Sequence, residues 1–349
     1  MTEQERAVSE PDVTVIVGVY NGMPYFRRCL ASLEEQTIGP GRLEAVVVDD
    51  GSTDGSGEFA ERFARGTDLP VRVVHQENSG GPSRPRNVGL GLARGRYVFF
   101  LDADDYLGEE ALERMVAAAD RNKTDVVLGR ITGVNRKAPR SMFTENVERT
   151  DPYSSNVTRT MSAEKLFRRS LLERHGLRFT EGMTHGEDTC FTLEAYVRAD
   201  GLSVVADYPC LYILGRTDGG NLTSVESTTD GFRAAEAQLG LIARLLPPGE
   251  ERDLLSVRPF RMKILRTFRT RMRREPEELW QECFDHAVPL LERYLTPGIE
   301  RRLRADERLR LHFLAERRSD LFRDVLKVMA ARDAAARTPA PDPGRDRAE

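Results

Sequence analysis

The sequence predicts an α/β fold followed by a region of helices, and three observations carry that prediction. Between Val13 and Leu128, apolar β-branched runs alternate with amphipathic stretches of helical period. Each apolar run ends abruptly in a polar or acidic cluster. From Gly231 to Ala331 the strand-like runs stop and helical period continues alone. Repeated strand–helix–strand units imply right-handed crossovers and a parallel sheet.

Val13 to Val19 forms the first expected strand and ends in Tyr20, Asn21 and Gly22. Pro24 opens a helix reaching Gln36, with Phe26, Leu30 and Leu33 on one face. Leu43 to Val48 is a second strand, buried on both faces, and a helix carrying Phe59 and Phe63 follows. Val71 to Val74 is a third strand, followed by the loop Asn78 to Asn87 and a short helix to Arg94. The fourth strand starts at Tyr97, has no polar residue from Val98 to Leu101, and ends in Asp102, Asp104 and Asp105. A helix from Glu109 to Arg121 and a strand from Asp125 to Leu128 complete the alternation.

From Arg130 to Met161 the pattern is lost, and a long, partly ordered excursion is expected. Helices at Ala163 to His175 and from Glu187 to Ala199 follow, then two short strands, Leu202 to Ala206 and Cys210 to Leu214. Pro247-Pro248 and Pro297-Gly298 break the helical region. The expected organisation is a disordered N-terminus over 1–11, a sheet domain over 12–230, a helical region over 231–333 and a disordered tail over 334–349.

The 349 residues are 40% hydrophobic and 31% charged, a globular composition. The net charge of −4 creates no positive field that would call for nucleic acid as a partner. No apolar run approaches the ~20 residues of a membrane span. Met1 to Glu10 lacks the apolar core of a signal peptide, so a cytoplasmic location is expected. Cys29, Cys190, Cys210 and Cys283 are scattered without a Cys-x-x-Cys pair and are expected to be buried free thiols.

The chemistry-bearing clusters all follow strands, on one edge of the expected sheet, where open α/β sheets bind ligands. Asp102 and Asp104, spaced Asp-x-Asp, are hard oxygen donors suited to Mg2+ or Mn2+, although acids after a strand also serve as turn residues. In Asp49-Asp50-Gly51-Ser52-Thr53-Asp54, either or both of the first two acids can accept hydrogen bonds from a nucleobase or ribose, and Asp54 can cap a helix. Arg86 offers a fork for a carboxylate or phosphate. Glu187-Asp188 begins a helix, where acids meet the helix dipole but can also act as a general base. His185 reads as structural or acceptor-contacting. Arg258 to Arg274 is a basic stretch without an acid, either a solvated face or a surface for an anionic polymer or lipid.

Taken together, Val15 to Asn21, Val48 to Asp54, Asn78 to Gly89 with Arg86-Asn87 in it, and Phe100 to Asp105 resemble family 2 glycosyltransferases of the GT-A fold. The match covers about residues 12 to 215. It implies a Rossmann-like mixed sheet with helices on both faces, plus the helical C-terminal region. It also implies a nucleotide-sugar donor, a divalent ion on the Asp-x-Asp motif and inversion by single displacement. By that resemblance Val19, Tyr20 and Asn21 line the nucleobase pocket and Asp50 contacts the uridine. Asn78 and Arg86 lie near the nucleotide-sugar, Asp102 contacts donor or metal, and Asp104 is the main metal ligand. Glu187-Asp188 matches the family's catalytic pair, with Asp188 as the base. Pro85 stands where many members have Ala. The Asn78-Ser79-Gly80 form, the Gly186-Glu187-Asp188 helix start and Asn221 to Ser224 look most like wall teichoic acid (polyol-phosphate) glycosyltransferases. The Gln-x-x-Arg-Trp motif of processive synthases is absent.

The expected function is a metal-dependent inverting glycosyltransferase with Mn2+ or Mg2+ as cofactor. It moves a sugar from UDP-GlcNAc or a UDP-hexose to a hydroxyl of a cell-envelope polymer such as teichoic acid or another glycan. Expected partners are the UDP-sugar and a polyhydroxylated anionic acceptor, with peripheral contact at the inner face of the membrane and self-association through the C-terminal helices. Arg266, Arg269 and Arg273 are the expected acceptor contacts in the basic stretch. Two rival readings are a sugar nucleotidyltransferase and a non-catalytic glycan-binding or scaffold protein. The first would need a Gly-rich basic loop after the first strand, which Gly18 to Pro24 lacks.

Overall fold

Strands buried on both faces cannot alternate polar with apolar residues, and the first two strands show this. β1 (Val13–Val19) and β2 (Leu43–Asp49) are buried along nearly their whole length. They pair in parallel; β2 also pairs in parallel with β3 (Val71–His75), and β1 with β4 (Tyr97–Asp102). The order β3-β2-β1-β4 places a reversal between β1 and β4. Such a switch point leaves a crevice at the carboxyl ends of the strands. In register, Gly18 faces Val48 on one side and Asp102 on the other, which brings Tyr20, Asp50 and Asp102 to one edge. Helices α1 (Phe26–Glu34), α2 (Ser56–Gly66) and α3 (Ser83–Leu92) make the crossovers, and α1 starts two residues later than Pro24 suggested.

This is a computed structural model that describes residues 10–183, 185–216, 229–268, 272 and 274–335, and the chain divides into two units, 1–225 and 226–349. The first unit continues with β5 (Tyr106–Leu107), α4 (Ala111–Asn122), β6 (Val126–Val134), β7 (Val147–Thr150), β8 (Leu166–Arg168), α5 (Arg169–Arg174), α6 (Glu187–Arg198) and β9 (Leu202–Leu214). The nine strands among the described residues belong to one sheet, which is mixed because β8 runs antiparallel to β4 and to β6.

Three expectations change here. Residues from Ala163 were expected to be helical, but Leu166 to Arg168 form β8, and the helix begins only at Arg169. Leu166 and Phe167 are fully buried between two strands, so the vacant position in the sheet overrides the local helical period. The excursion after Arg130 is shorter than expected: β6 runs on to Val134, and β7 pairs antiparallel with β9. The two short strands after Leu202 are a single strand. A register shift around Arg130 lets β9 continue through Pro209, whose ring would otherwise interrupt the ladder.

The second unit consists of α7 (Asp230–Leu245), α8 (Glu250–Pro259), a π-helical turn (Phe260–Ile264), α9 (Leu265–Thr267), α10 (Glu277–Tyr294), α11 (Pro297–Arg302), α12 (Ala305–Ala315) and α13 (Ser319–Ala335). Its core centres on Trp280, whose ring meets Phe268, Phe284 and Phe322 at 5.4–5.8 Å between centroids. The basic stretch is not one solvated face. Arg261 is bonded to the buried Glu307 by two hydrogen bonds of 2.7 and 2.8 Å, while Arg266 is exposed. Arg269 and Arg273 lie outside the described residues, as do 1–9 and 336–349, on which the disordered ends were expected. Residues 334 and 335 of the expected tail are helical. No disulfide joins the four cysteines; three are buried, and Cys190 is half-buried. Among the described residues no helix is long and apolar enough to cross a membrane.

Candidate active site

At the end of β4 the chain turns sharply, and Asp105 donates its backbone N–H to the Asp102 carbonyl at 3.0 Å. The turn gathers one carboxylate oxygen from each of Asp102, Asp104 and Asp105 within 4.8 Å of one another. Asp105 is committed internally: it accepts the Leu214 N–H at 2.8 Å and a hydrogen bond from the buried Glu164. Among the described residues Asp104 has no such tie. Burial, followed by the Asp102 charge, pushes its carboxyl up to about 6. Asp105 is pushed up to about 7 by burial and by both neighbouring acids. Acids under such mutual repulsion form a donor set that a divalent cation relieves.

Arg86, in the first turn of α3, lies between this cluster and α6. Its Nη2 donates to Asp102 Oδ1 at 2.7 Å and its Nη1 to Asp188 Oδ1 at 2.5 Å, with Glu187 3.9 Å away. Its guanidinium stands 5.2 Å from the centroid of the Phe179 ring. Burial works against the Arg86 charge, but Asp188 and Asp102 outweigh it and hold the group protonated. Gly186 precedes α6 with φ +93°, a left-handed turn that sets Glu187 and Asp188 in the first helical turn. Burial, then the Asp188 charge, raises Glu187 to about 7, against the pull of Arg86. Burial also raises Asp188, against Arg86 and Lys165.

The β1–β2 edge is built around Asp50 and Asn21. Asp50 is buried and accepts from Gln76 Nε2, from Ser79 N–H at 3.1 Å and from Ser79 Oγ at 2.9 Å. Asn78 Nδ2 donates to the Asp50 carbonyl at 3.1 Å. Gly51, at φ +78°, allows this approach, since a Cβ there would lie 2.9 Å from the Asn78 nitrogen. Asn21 receives the Thr53 N–H on Oδ1 at 2.8 Å and donates its own N–H to Ser52 Oγ at 3.0 Å. Val19 is buried beneath, and Tyr20 is 54% exposed at the mouth of the crevice.

Residues 14–176 match the Glycosyl transferase family 2 domain, and 229–326 match the Glycosyl transferase TarS linker domain. The poly(ribitol-phosphate) beta-N-acetylglucosaminyltransferase TarP of Staphylococcus aureus is 30% identical over 220 residues, covering 62% of this chain and 67% of TarP. The chain belongs to glycosyltransferase family 2. A poly(ribitol-phosphate) beta-glucosyltransferase of Bacillus spizizenii is 32% identical over 83% of this chain, which spans only 48% of that relative. The crystal structure of S. aureus TarS 1–349 in complex with UDP-GlcNAc superposes with a TM-score of 0.83 at 29% identity, covering 92% of each chain.

Within this family 2 member the GT-A arrangement is present, with a mixed sheet and Asp-x-Asp at the end of β4. The structure brings Arg86, Asp102, Glu187 and Asp188 into one hydrogen-bonded or ion-paired group, with Asp104 beside Asp102. Asp50, Asn78, Asn21, Tyr20 and Val19 gather on the β1–β2 side of the crevice. His185 is half-buried just before Gly186. Sequence reasoning missed Glu164, Lys165, Phe179 and Ser79. The scarcity of lysine, five in an Arg-rich chain, was the one signal available for the second of these.

Proposed function

We propose that the protein transfers a sugar from a UDP-sugar, UDP-GlcNAc or a UDP-hexose, to a hydroxyl of a polyol-phosphate polymer, with inversion. The observation that carries this reading is the Arg86 bridge, which joins a donor-side acid, Asp102, to a candidate base, Asp188, through one buried guanidinium. The similarity to TarS bound to UDP-GlcNAc, and to relatives named for poly(ribitol-phosphate), supports the donor and acceptor classes.

Asp188 accepts the proton of the acceptor hydroxyl as its oxygen bonds to the anomeric carbon. The bond from that carbon to the diphosphate oxygen breaks, and UDP leaves with the electron pair. Arg86 meets the diphosphate charge with its fork. Tyr20 and Asn21 flank the nucleobase, and Asp50 with Ser79 holds the loop beside it. Asp104 and Asp102 would hold Mg2+ or Mn2+, which supplies charge neutralisation to the leaving diphosphate. Asp105, tied to Leu214 and Glu164, keeps that pair in place. His185 and the basic residues Arg266, Arg269 and Arg273 are proposed to meet the acceptor, whose phosphates repeat along its length. We place this reaction on the cytoplasmic side of the membrane.

The test is UDP release from a panel of UDP-sugars with and without Mn2+, followed by transfer to a polyol-phosphate acceptor. Asp104→Ala should lose Mn2+ binding, read by electron paramagnetic resonance, without loss of melting temperature. Asp188→Asn should keep donor affinity and lose ~100- to 10,000-fold in transfer. Formation of UTP and a sugar 1-phosphate from a UDP-sugar and added inorganic diphosphate, in place of UDP release, would make the protein a nucleotidyltransferase.

A further inference from the structure

The site holds a second buried cation besides Arg86. Lys165 is 1% exposed and is one of five lysines in a chain that otherwise carries its positive charge on arginine. A buried ammonium persists only where hydrogen bonds and opposite charges meet it. Its surroundings follow from α6. Asp188, Thr192 and Tyr196 fall one turn apart on one face of that helix. Tyr196 donates its hydroxyl to the Thr160 carbonyl at 3.1 Å, and Thr192 donates to the Ser162 carbonyl at 3.1 Å. The segment 160–165 therefore runs along this face toward Asp188. Lys165 Nζ donates to the same Ser162 carbonyl at 2.5 Å, which fixes the ammonium against that part of α6.

We infer that Lys165 is a positioning residue whose ammonium is the fixed counter-charge of Asp188 while the Arg86 guanidinium turns to the donor diphosphate. The inference rests on the reading of Asp188 as the base. A diphosphate competes for the Arg86 fork, because two anions then share one cation. A buried carboxylate that loses its counter-charge takes up a proton and can no longer accept one. Lys165 cannot be drawn away in the same manner, since its stem is buried and Nζ is tied to Ser162. Among the described residues, the charged groups that act most on Asp188 are Arg86 from α3, Asp102 from β4, its neighbour Glu187, and Glu164 and Lys165 from the segment before β8. Of these only Arg86 and Lys165 are positive, and both oppose the effect of burial.

The test uses Lys165→Met in the full chain, which keeps the stem and removes the charge. At saturating donor, kcat should fall at least about tenfold and the acid limb of the pH–rate profile should move upward. Donor affinity by calorimetry should stay within about twofold, as for any interaction needed only in the transfer step. Wild-type kcat with an unmoved pH profile would overturn the inference. If Lys165→Met does not bind UDP, Lys165→Ala is assayed with n-propylammonium and with n-propanol. Recovery with the amine alone supports the inference, and no recovery overturns it. Asp188→Asn separates the two readings: wild-type transfer by that variant sinks the base assignment. Inactive Asp188→Asn beside unimpaired Lys165→Met sinks only the role of Lys165.

Discussion

Arg86 Nη1 donates to Asp188 Oδ1 at 2.5 Å across 102 residues of chain, and its other amino group reaches Asp102 at 2.7 Å. One guanidinium thus sets the spacing between the acid at the end of β4 and the acid at the start of α6. Arg86→Ala should destabilise the first unit by roughly 2–3 kcal/mol. That is below the 3–5 typical of a broken buried pair, because Asp102 opens to water. Arg86→Lys restores a charge but not the fork, so it should recover stability better than donor KM. Urea unfolding and donor kinetics on both variants check this; equal donor KM for Lys and Arg would remove the fork from the argument.

The Glu187–Asp188 pair gives a pH dependence of known sign. Burial, then the Asp188 charge, holds Glu187 at about 7, and burial raises Asp188 as well. Both lie above their unfolded values, so proton binding favours the fold. This contribution is fully present below the unfolded carboxylate range and is lost as pH rises through about 7. Between about pH 5 and pH 8, Glu187→Gln should therefore lose less melting temperature than the wild type. Parallel melting curves for the two proteins across that range would contradict it.

Asn87 holds Phe179 by its backbone. Asn87 Nδ2 donates to the Phe179 carbonyl and Phe179 N–H donates to Asn87 Oδ1, each at 2.9 Å. Since the Phe179 ring lies under Arg86, Asn87→Ala should cost about 2 kcal/mol, two ordinary hydrogen bonds, and lower transfer as well. Asn87→Asp keeps the acceptor, loses the donor and sets a negative charge beside Glu181, so it should be the worse variant. Chemical denaturation ranks the two, and the reverse order would show that the pairing contributes little.

Trp280 is the sole tryptophan of the chain and is fully buried, with its Nε1 donating to the Met272 carbonyl at 2.9 Å. Its fluorescence therefore reports on the helical unit alone. Phe268→Ala, which removes a ring 5.5 Å from Trp280, should cost about 3–5 kcal/mol and shift the emission to longer wavelength. An unchanged spectrum would mean that the cluster closes over the cavity.

By itself the sequence determined the strands that carry the site and the acids at their ends. β1, β2 and β4 were legible because buried parallel strands must be apolar at successive positions, a purely local signal. Asp102 and Asp104 were legible because Asp102 follows such a run directly and Asp104 comes after a single alanine. The breaks near Pro247 and Pro297 in the helical unit were legible for the same local reason. Only the tertiary structure decided that Leu166 to Arg168 form a strand, because the two partners that demand it, β4 and β6, come from distant parts of the chain. It alone decided that Asp105 supports while Asp104 stays open, since the distinction depends on the Leu214 N–H and on Glu164. It alone joined Arg86 to Asp188 and set Lys165 against α6. Charge pairing depends on distance in space and on exclusion of water, and neither is written in the spacing of residues along a chain.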